Sequence, residues 1–468
     1  MLQVTNFCSG TQLTGQADAT GCIQTAVDSI CNSNAATIPG PGGVLSFAAG
    51  IYRIDGTVLL KCSGLELAGA GAGDRYPQMP PPDGTGNGTV GSGTEFVAGH
   101  RTDDLAMIKA LVDNSSHLPS PNGPNNFANG LYIHDITMVN NFGSVSNGRS
   151  GAFLEINYWQ QVLVARVNMY APCIGAKVNG GFFVTFEDVM IKSYEPTVSG
   201  GLSCAAFRLT GSVANTYSTL DVVAFNRTMA NAGSHSVCYD VQDRVQTVWW
   251  TNTTCETNGY ALKSSCPTMS SPLYCPGFFT LHDFEAESFG TGDNMIDLTD
   301  LVDGFKMSDS WLRGFYSGAV ANNLVSVLPG RFPPPTGGNL GVTMSNNWLK
   351  FAGGSCLYIS SAMTTIANNH IYGCGKYYQS NQTLYPGVEI RANRAVVTGN
   401  QFCGGDWLND VTWPMNAGLI LPGVDYTIWT SNLFSYNTAP SGSNNACSAG
   451  IVNQSAGGHN VTSPNVGP

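Results

Sequence analysis

Leu154-Glu155-Ile156 is the first clear copy of the phrase that decides the fold of this chain: apolar, variable, apolar. Successive side chains of a β-strand point to opposite faces, so the two apolar residues share one face and the middle residue lies on the other. The phrase recurs at residues 176–178, 207–209, 239–241, 296–298, 325–327, 357–359, 388–390 and 419–421. Repeats with periods of roughly 20–50 residues are typical of solenoids and related arrays. The pattern predicts an all-β, right-handed parallel β-helix whose outward side chains form a long wall suited to binding a polymer.

The composition is that of a weakly charged, acidic and turn-rich chain. Its 468 residues include 56 glycines, only 11% of the residues are charged, and the formal net charge is −11. Nucleic acid is excluded as the main partner, because neutralising phosphates requires clustered Lys and Arg. A transmembrane helix is excluded as well, because the chain has no run of about 18 apolar residues.

The 14 cysteines are an even number and indicate disulfides in an oxidising compartment. The pairs expected to close loops are Cys22 with Cys31 and Cys266 with Cys275. Residues 1–7 show no basic region followed by an apolar core, so we expect a mature chain with an added Met or a chain that never carried a secretory signal. The localisation we expect is extracellular, either secreted or virion-associated.

One short helix and two strands are predicted near the start of the chain. Ile23, Ala26, Val27 and Ile30 recur at helical spacing within residues 20–31, and residues 44–47 and 51–54 follow as strands. The runs CIQTAVD at residues 22–28 and GGVLSFAAGIY at residues 42–52 resemble the first segment of the pectate-lyase-like superfamily, which includes secreted polysaccharide enzymes and phage tailspikes. The chain departs from that pattern at Ala48, where the family usually has proline. The resemblance implies a parallel β-helix and a polysaccharide ligand, and it fixes no chemistry.

Three regions are expected along the chain. Residues 74–95 and 113–128 are rich in Pro, Gly, Asn and Ser and are interpreted as long loops. We therefore expect an N-terminal cap with the first rungs over residues 1–128, a β-helix body over 129–436 and an extended tail over 437–468.

Acidic and amide residues recur at one point of the repeat and are interpreted as a ladder of turn residues. The expected members are Asp188, Asp283, Asp309, Asn346 and Asn368. Side chains of this kind bond the backbone of neighbouring turns. A structural role is therefore favoured over catalysis for these carboxylates.

The middle residues of the repeated phrase are expected to form one outward column, since stacked strands lie about 4.8 Å apart. The predicted order is Glu155, Lys177, Arg208, Asp240, Ala261, Asp297, Ser326, Tyr358, Glu389 and Ile420. Two interpretations stay open for it, a solvated ladder of ion pairs or a catalytic wall around Arg208, Asp240 and Asp297.

In the catalytic interpretation, Asp240 and Asp297 are two rungs apart if Ala261 fills the rung between them, which is about 10 Å between backbones. Inverting glycosidases hold their two carboxyl groups about 6.5–9.5 Å apart, a range that side-chain tilt would reach. Asp243 is a second candidate acid close to Asp240, and Arg208 and Arg244 are candidate substrate-binding residues.

A second outward column is predicted to combine acids with aromatic rings. Its expected members are Met190, Glu285, Trp311, Trp348, His370 and Gln401. Exposed indoles beside acids and amides form platforms on which sugar rings stack, and large exposed aromatic residues are informative for that reason. Glu285 is the candidate catalytic acid, and Trp311, Trp348 and His370 are candidate binding residues, unless a loop, the tail or another subunit covers them. Trp249 and Trp250 are added as binding candidates, and one of them should face outward.

Three functions are compatible with these columns. The favoured one is a glycoside hydrolase that cuts a complex glycan, such as a bacterial capsule or exopolysaccharide, with two carboxylates. The alternatives are a lyase acting on a uronic acid polymer, with Arg208, Arg244 or Lys177 neutralising the uronate, and a non-catalytic adhesin or stalk. No HExxH, P-loop or GxSxG motif occurs, and nothing requires a metal or other cofactor. The expected partners are a polysaccharide and, by resemblance to tailspikes, two further copies of the chain in a homotrimer.

Overall fold

The structure is a computed structural model built from stacked parallel β-strands. It describes residues 1–31, 42–72, 93–99, 106–111, 128–140, 151–170, 172–192, 204–211, 220–233, 236–267, 275–288, 293–301, 303–314, 322–328, 341–375, 385–402, 415–434, 447–455, 459–462 and 465. The chain divides into two compact units. The first contains residues 1–240 and 244–246, and the second contains residues 241–243 and 247–468.

The described helices all lie in the first unit: a 3₁₀ helix Val4–Asn6, α1 Gly10–Leu13 and α2 Thr20–Cys31. The strands of the first unit are β1 Leu2–Gln3, β2 Thr14–Asp18, β3 Val44–Ser46, β4 Gly50–Ile54, β5 Val58–Leu60, β6 Leu65–Ala68, β7 Thr94–Ala98, β8 Ile108–Leu111, β9 Ala128–Asn140, β10 Ala152–Tyr170, β11 Ile174–Glu187, β12 Met190–Lys192, β13 Ala205–Thr210, β14 Leu220–Asn226 and β15 Met229–Ala232. The boundary between the units falls in β16 Val237–Gln242 and β17 Val245–Thr257.

The second unit continues with eighteen described strands: β18 Tyr260–Ser265, β19 Gly277–Ser288, β20 Ile296–Leu298, β21 Asp303–Ser308, β22 Trp311–Arg313, β23 Val325–Val327, β24 Val342–Ser345, β25 Trp348–Lys350, β26 Leu357–Ile359, β27 Thr364–Ala367, β28 His370–Tyr372, β29 Pro386–Ile390, β30 Ala395–Thr398, β31 Gln401–Phe402, β32 Met415–Ile420, β33 Ile428–Thr430, β34 Leu433–Phe434 and β35 Cys447–Asn453. None of the helices in the described residues is long and apolar enough to span a membrane.

The period-2 phrase folds as predicted. In β26, Leu357 and Ile359 are fully buried, while Tyr358 between them faces outward. The register is parallel from rung to rung, with β20 opposite β23 and β23 opposite β26. The predicted helix is also confirmed, since α2 covers Thr20–Cys31 and its first turn is held by Asp18, which accepts a hydrogen bond from the Thr20 backbone N–H.

Two positions of the first predicted column are wrong, one by two residues and the other by one residue. Lys263, rather than Ala261, lies opposite Asp297, and Ala261 is buried. Leu419, rather than Ile420, lies opposite Glu389, because Ile420 pairs with Ile390 in the core. A shift of one residue turns an outward side chain inward, and a shift of two residues puts a different side chain at the outward position. Spacing along the chain does not determine which register forms.

The predicted turn residues occupy corners of the coil with left-handed backbone. The φ angles are 51° at Asp188, 49° at Asp283, 53° at Asp309, 56° at Asn346 and 56° at Asn368. Asp and Asn tolerate this conformation better than most residues. Their predicted role as turn residues is thus confirmed. After three of these corners, the side chains of Ser310, Asn347 and Asn369 form hydrogen bonds to the backbone of a neighbouring rung.

An asparagine ladder runs through the second unit. Its members Asn347, Asn369, Asn400 and Asn432 are fully buried and each follow a left-handed corner, and its last member, Asn465, is half-buried. Within it, each side-chain oxygen accepts bonds from the backbone N–H and the side-chain amide of the preceding member, at 2.9–3.1 Å. Each amide also donates to a strand carbonyl, as Asn400 does to Ile366. The ladder thereby satisfies backbone groups that the turns leave unpaired.

The twelve cysteines whose side chains are described are all disulfide-bonded. Cys266 pairs with Cys275, as predicted. The predicted pair of Cys22 and Cys31 is wrong, because Cys22 pairs with Cys8 and Cys31 pairs with Cys62. These two bonds attach both ends of α2 to neighbouring segments, a contact that spacing along the chain does not reveal. Further described bonds join Cys173 to Cys204 and Cys356 to Cys374.

A charged corner of the first unit makes stability depend on pH. The guanidinium of Arg166 donates to both carboxylate oxygens of Asp135, at 2.7 and 2.8 Å, and these bonds hold the pKa of Asp135 to about 2. A lowered carboxyl pKa stabilises the fold above the unfolded value near 4, and that contribution is lost as the pH falls through about 2.

We expect Asp135→Asn to destabilise the protein by roughly 1–2 kcal/mol at pH 7, after allowance for the half-exposed guanidinium. The difference in urea midpoint between the variant and the unmodified chain should become smaller as the pH falls from 5 to 2. The matched control is Asp309→Asn, a corner carboxylate whose described partners include no arginine. A difference for Asp135→Asn that stays constant down to pH 2 would contradict the prediction.

Candidate functional site

The second predicted column is confirmed within the second unit. Parallel pairing places Glu285 opposite Trp311, Trp311 opposite Trp348, Trp348 opposite His370, and His370 opposite Gln401. All of these residues are at least partly exposed on the outward face, while the residues that follow them in the strands are buried. The sequence pattern therefore identified a continuous surface across β19, β22, β25, β28 and β31.

A parallel column two residues further along completes this surface. Glu287 lies opposite Arg313, Arg313 opposite Lys350, and Lys350 opposite Tyr372. We call the eight residues the tryptophan face: Glu285, Glu287, Trp311, Arg313, Trp348, Lys350, His370 and Tyr372.

The side chains of the tryptophan face differ in their contacts. Arg313 forms an ion pair with Glu287, and the Lys350 ammonium lies 4.9 Å from the ring centroid of Trp311. Trp348 is 50% exposed and contacts the His370 ring at a centroid distance of 4.9 Å. Trp348 is thus the ring most available to a ligand, whereas Lys350 limits access to Trp311.

Glu285 and Glu287 are the acids of this face. They are two residues apart on β19, so their Cα atoms are about 7 Å apart and their side chains point the same way. Glu285 is exposed and makes no hydrogen bond or ion pair with a described residue, while Glu287 is bound by Arg313. Two carboxylates in different surroundings thus lie beside an indole platform.

The first predicted column is confirmed in part within the first unit. Lys109 lies opposite Glu155, Glu155 opposite Lys177, and Lys177 opposite Arg208. We call these four residues the ion-pair column. Lys109 approaches Glu155 at 3.6 Å, and Arg208 donates to Asp240 at 2.9 Å.

The predicted catalytic acids outside the tryptophan face are engaged in structural contacts. Asp240 is 2% exposed and bound by Arg208, in the first unit. Asp243 is a buried corner residue of the second unit, and its backbone N–H donates to the Ser265 carbonyl.

Asp297 also belongs to the second unit, where it accepts hydrogen bonds from Thr299 and Asn294 in its own turn. The rung facing Asp297 carries Lys263 rather than the predicted Ala261.

The remaining binding candidates separate into exposed and buried residues. Trp249 is 43% exposed, whereas Trp250 is fully buried against Phe279, so one indole faces outward as predicted and Trp250 is wrong as a surface contact. Trp249 precedes the left-handed corner at Asn252 in β17, while Glu285 follows the corner at Asp283 in β19. Arg244 is half-buried, and its carbonyl accepts the Leu220 backbone N–H.

Arg313 and Lys350 were missed by the sequence reasoning. Each lies two residues after a tryptophan of the predicted column, and the same period-2 rule would have placed both on its face. Within the described residues, no group of three or more His, Cys, Asp or Glu side chains is arranged to hold a metal ion.

Comparison with known proteins yields structural relatives only. No protein family model and no curated protein sequence matches the chain. The A-module of Azotobacter vinelandii mannuronan C-5 epimerase AlgE4 matches 99% of this chain and 100% of its own, with a TM-score of 0.50 and 14% identity. Tailspike protein 3 of bacteriophage CBA120 matches 97% of this chain over 59% of its own, with a TM-score of 0.59 and 11% identity.

A third solved structure is DFA-IIIase from Arthrobacter chlorophenolicus A6 without its lid, in complex with GF2. It matches 96% of this chain and 98% of its own, with a TM-score of 0.52 and 12% identity. At these identities the likeness concerns the fold. The stacked parallel strands of this chain share the fold of these three structures, in agreement with the resemblance near its start.

Proposed function

We propose that this protein is a carbohydrate-active enzyme that hydrolyses a polysaccharide on the tryptophan face. The observation that carries the proposal is the register that places Glu285 and Glu287 beside Trp311 and the exposed Trp348 on consecutive rungs. A sugar ring stacked on Trp348 would extend its chain along the column toward the two acids.

The two carboxylates would divide the chemistry of hydrolysis. Glu285 would protonate the oxygen of the scissile glycosidic bond, and Glu287, held by Arg313, would accept a proton from the attacking water. The Cα separation of about 7 Å is compatible with the carboxyl spacing of inverting enzymes, which leaves room for that water.

The comparisons support the substrate class. One structural relative is named as a mannuronan C-5 epimerase, and another is a DFA-IIIase determined in complex with GF2. Both share this fold over nearly the whole chain, which makes a carbohydrate the ligand to test first.

The test is mass analysis of products after incubation with neutral and acidic polysaccharides from microbes and plants. We expect saturated oligosaccharides that have gained one water per cleavage. Products without that water, with the absorbance of an unsaturated uronate end, would replace the hydrolase by a lyase. Binding to one polymer without any product would contradict the proposed enzymatic activity and favour a non-catalytic adhesin.

We further propose an extracellular protein whose β-helix winds to the right. The disulfides are typical of proteins in oxidising surroundings, and crossovers between parallel strands are right-handed in about 98% of cases. The three-region division at residues 128 and 436 and the homotrimer stay predictions, the latter to be checked by light scattering after size exclusion.

A further inference from the structure

One exposed asparagine of the second unit lies in a sequence pattern that accepts N-linked glycans. The run WWTNTT at residues 249–254 contains the sequon formed by Asn252 and Thr254, the Asn-x-Thr pattern in which an oligosaccharyltransferase modifies the asparagine. Six further Asn-x-Ser/Thr sequons occur in the chain, and those at Asn87, Asn114 and Asn381 lie outside the described residues. The structure distinguishes the remaining sequons by the surroundings of their asparagines.

The other three described sequon asparagines are engaged or partly buried. Asn460 accepts two hydrogen bonds from Thr427, at 2.9 Å each, and its amide donates to the Val424 carbonyl. Asn453 is exposed, but its side-chain oxygen accepts the backbone N–H two residues further along the chain. Asn226 is half-buried at the end of β14.

Asn252 differs from all three, because its side chain is exposed and makes no hydrogen bond with a described residue. It occupies a left-handed corner of β17 with a φ angle of 51°, a backbone conformation that asparagine tolerates. By contrast, the corner residue Asn346 donates to the corner carboxylate of Asp309. The Asn252 amide can therefore carry a large polar group without losing any described contact.

An exposed indole lies beside this corner on the same strand. Trp249 is 43% exposed, lies outside the tryptophan face and precedes Asn252 by three residues. Trp250 is buried, so Trp249 and Thr251 share the outward face of β17. A strand rises about 3.3 Å per residue, which places the Cα atoms of Trp249 and Asn252 at most about 10 Å apart. A sugar attached to the Asn252 side chain can thus cover part of the indole and remove apolar surface from water.

We propose that Asn252 carries an N-linked oligosaccharide whose first sugar packs on the Trp249 indole. In the transfer, the Asn252 amide nitrogen gives up one proton and forms a bond to the anomeric carbon of that sugar. The bond between this carbon and a lipid diphosphate breaks, and the diphosphate leaves. The proposal goes beyond hydrolysis and rests on the extracellular location proposed above, because the transfer takes place in a eukaryotic secretory pathway.

The test of the site is expression of the full chain behind a signal peptide in a eukaryotic host, with protein collected from both cells and medium. Peptide N-glycosidase in heavy-oxygen water converts each glycosylated asparagine into a labelled aspartate, which mass analysis of peptides locates. We expect the label at Asn252 in most of the unmodified chain. Thr254→Val, which removes the hydroxyl of the sequon on a half-exposed strand position, should abolish that label.

Thr253→Val is the matched control, because it removes the neighbouring hydroxyl and keeps the sequon. The Thr253 hydroxyl is buried and makes no hydrogen bond with a described residue, so its loss leaves no partner unsatisfied. The label at Asn252 should stay in this variant. A label that is absent from Asn252 in most of the unmodified chain, or that persists there in Thr254→Val, would overturn the proposed site.

The contact with the indole is tested with the same two variants. Acrylamide should quench the tryptophan fluorescence of Thr254→Val, which lacks the glycan, more strongly than that of Thr253→Val. Adding Trp249→Phe to both variants should abolish this difference. Equal quenching in the two variants, or a difference that remains after Trp249→Phe, would overturn the packing of the sugar on Trp249.

Failure of this proposal is distinguishable from failure of the extracellular location. An unlabelled Asn252 in a secreted chain with its disulfides formed would remove the glycan and leave the location standing. A chain whose described cysteines stay as free thiols in that host would contradict the extracellular location, while the label at Asn252 is still measured on the protein from the cells.

Discussion

Glu285→Gln is expected to lower the rate of polysaccharide cleavage by about 10²–10⁴-fold, the usual contribution of a general acid. The amide keeps the size of the side chain but cannot donate the required proton. Glu285 is exposed and makes no hydrogen bond or ion pair with a described residue, so the substitution leaves no buried group unsatisfied. The measurement is the initial rate on the polymer that the unmodified chain cuts, with polymer binding measured in parallel.

Two further variants separate chemistry from binding. Asp283→Asn removes an exposed carboxylate from the same strand at a left-handed corner that Asn tolerates, and the rate should stay within about twofold. Trp348→Ala removes the exposed indole and should raise KM more than it lowers kcat. If Glu285→Gln cuts as fast as Asp283→Asn, the assignment of the acid to the tryptophan face is wrong.

Asn400→Ala is expected to destabilise the second unit by about 3 kcal/mol or more, since the loss leaves several buried polar groups unpaired. Asn400 accepts from the backbone and side chain of Asn369 and donates to Ile366 and Asn432. Alanine replaces none of these bonds, and the residue is fully buried, so water cannot replace them readily.

The loss of stability should be measured residue by residue, because long repeat arrays need not unfold in one step. Backbone amides of β27, β30 and β33 should exchange hydrogen about 100-fold faster, the equivalent of about 3 kcal/mol. Asn346→Gly is the matched control, since it changes an exposed corner asparagine and glycine adopts the same backbone freely. Equal exchange in the two variants would show that the ladder contributes little.

The candidate site was predictable where one strand face repeats without interruption. Glu285, Trp311, Trp348 and His370 each follow a corner residue by two positions, so spacing alone placed them in one column. The other column failed at two positions only, because the register that places Lys263 and Leu419 there depends on core packing that local spacing does not encode. Its run Asp297, Ser326, Tyr358 and Glu389 lies in register as predicted.

What the sequence by itself determined is the parallel β-helix architecture: alternation buries Leu357 and Ile359 and exposes Tyr358, and the Asp and Asn residues at the corners tolerate the turns. Only the tertiary structure decided which charged side chains form ion pairs with each other. Arg208 pairs with Asp240, Arg313 pairs with Glu287, and Lys109 pairs with Glu155. Lys177 forms no ion pair with a residue that the structure describes. These pairings join residues 26–46 positions apart, and a pattern along the chain specifies the face of a side chain but not the neighbour it reaches.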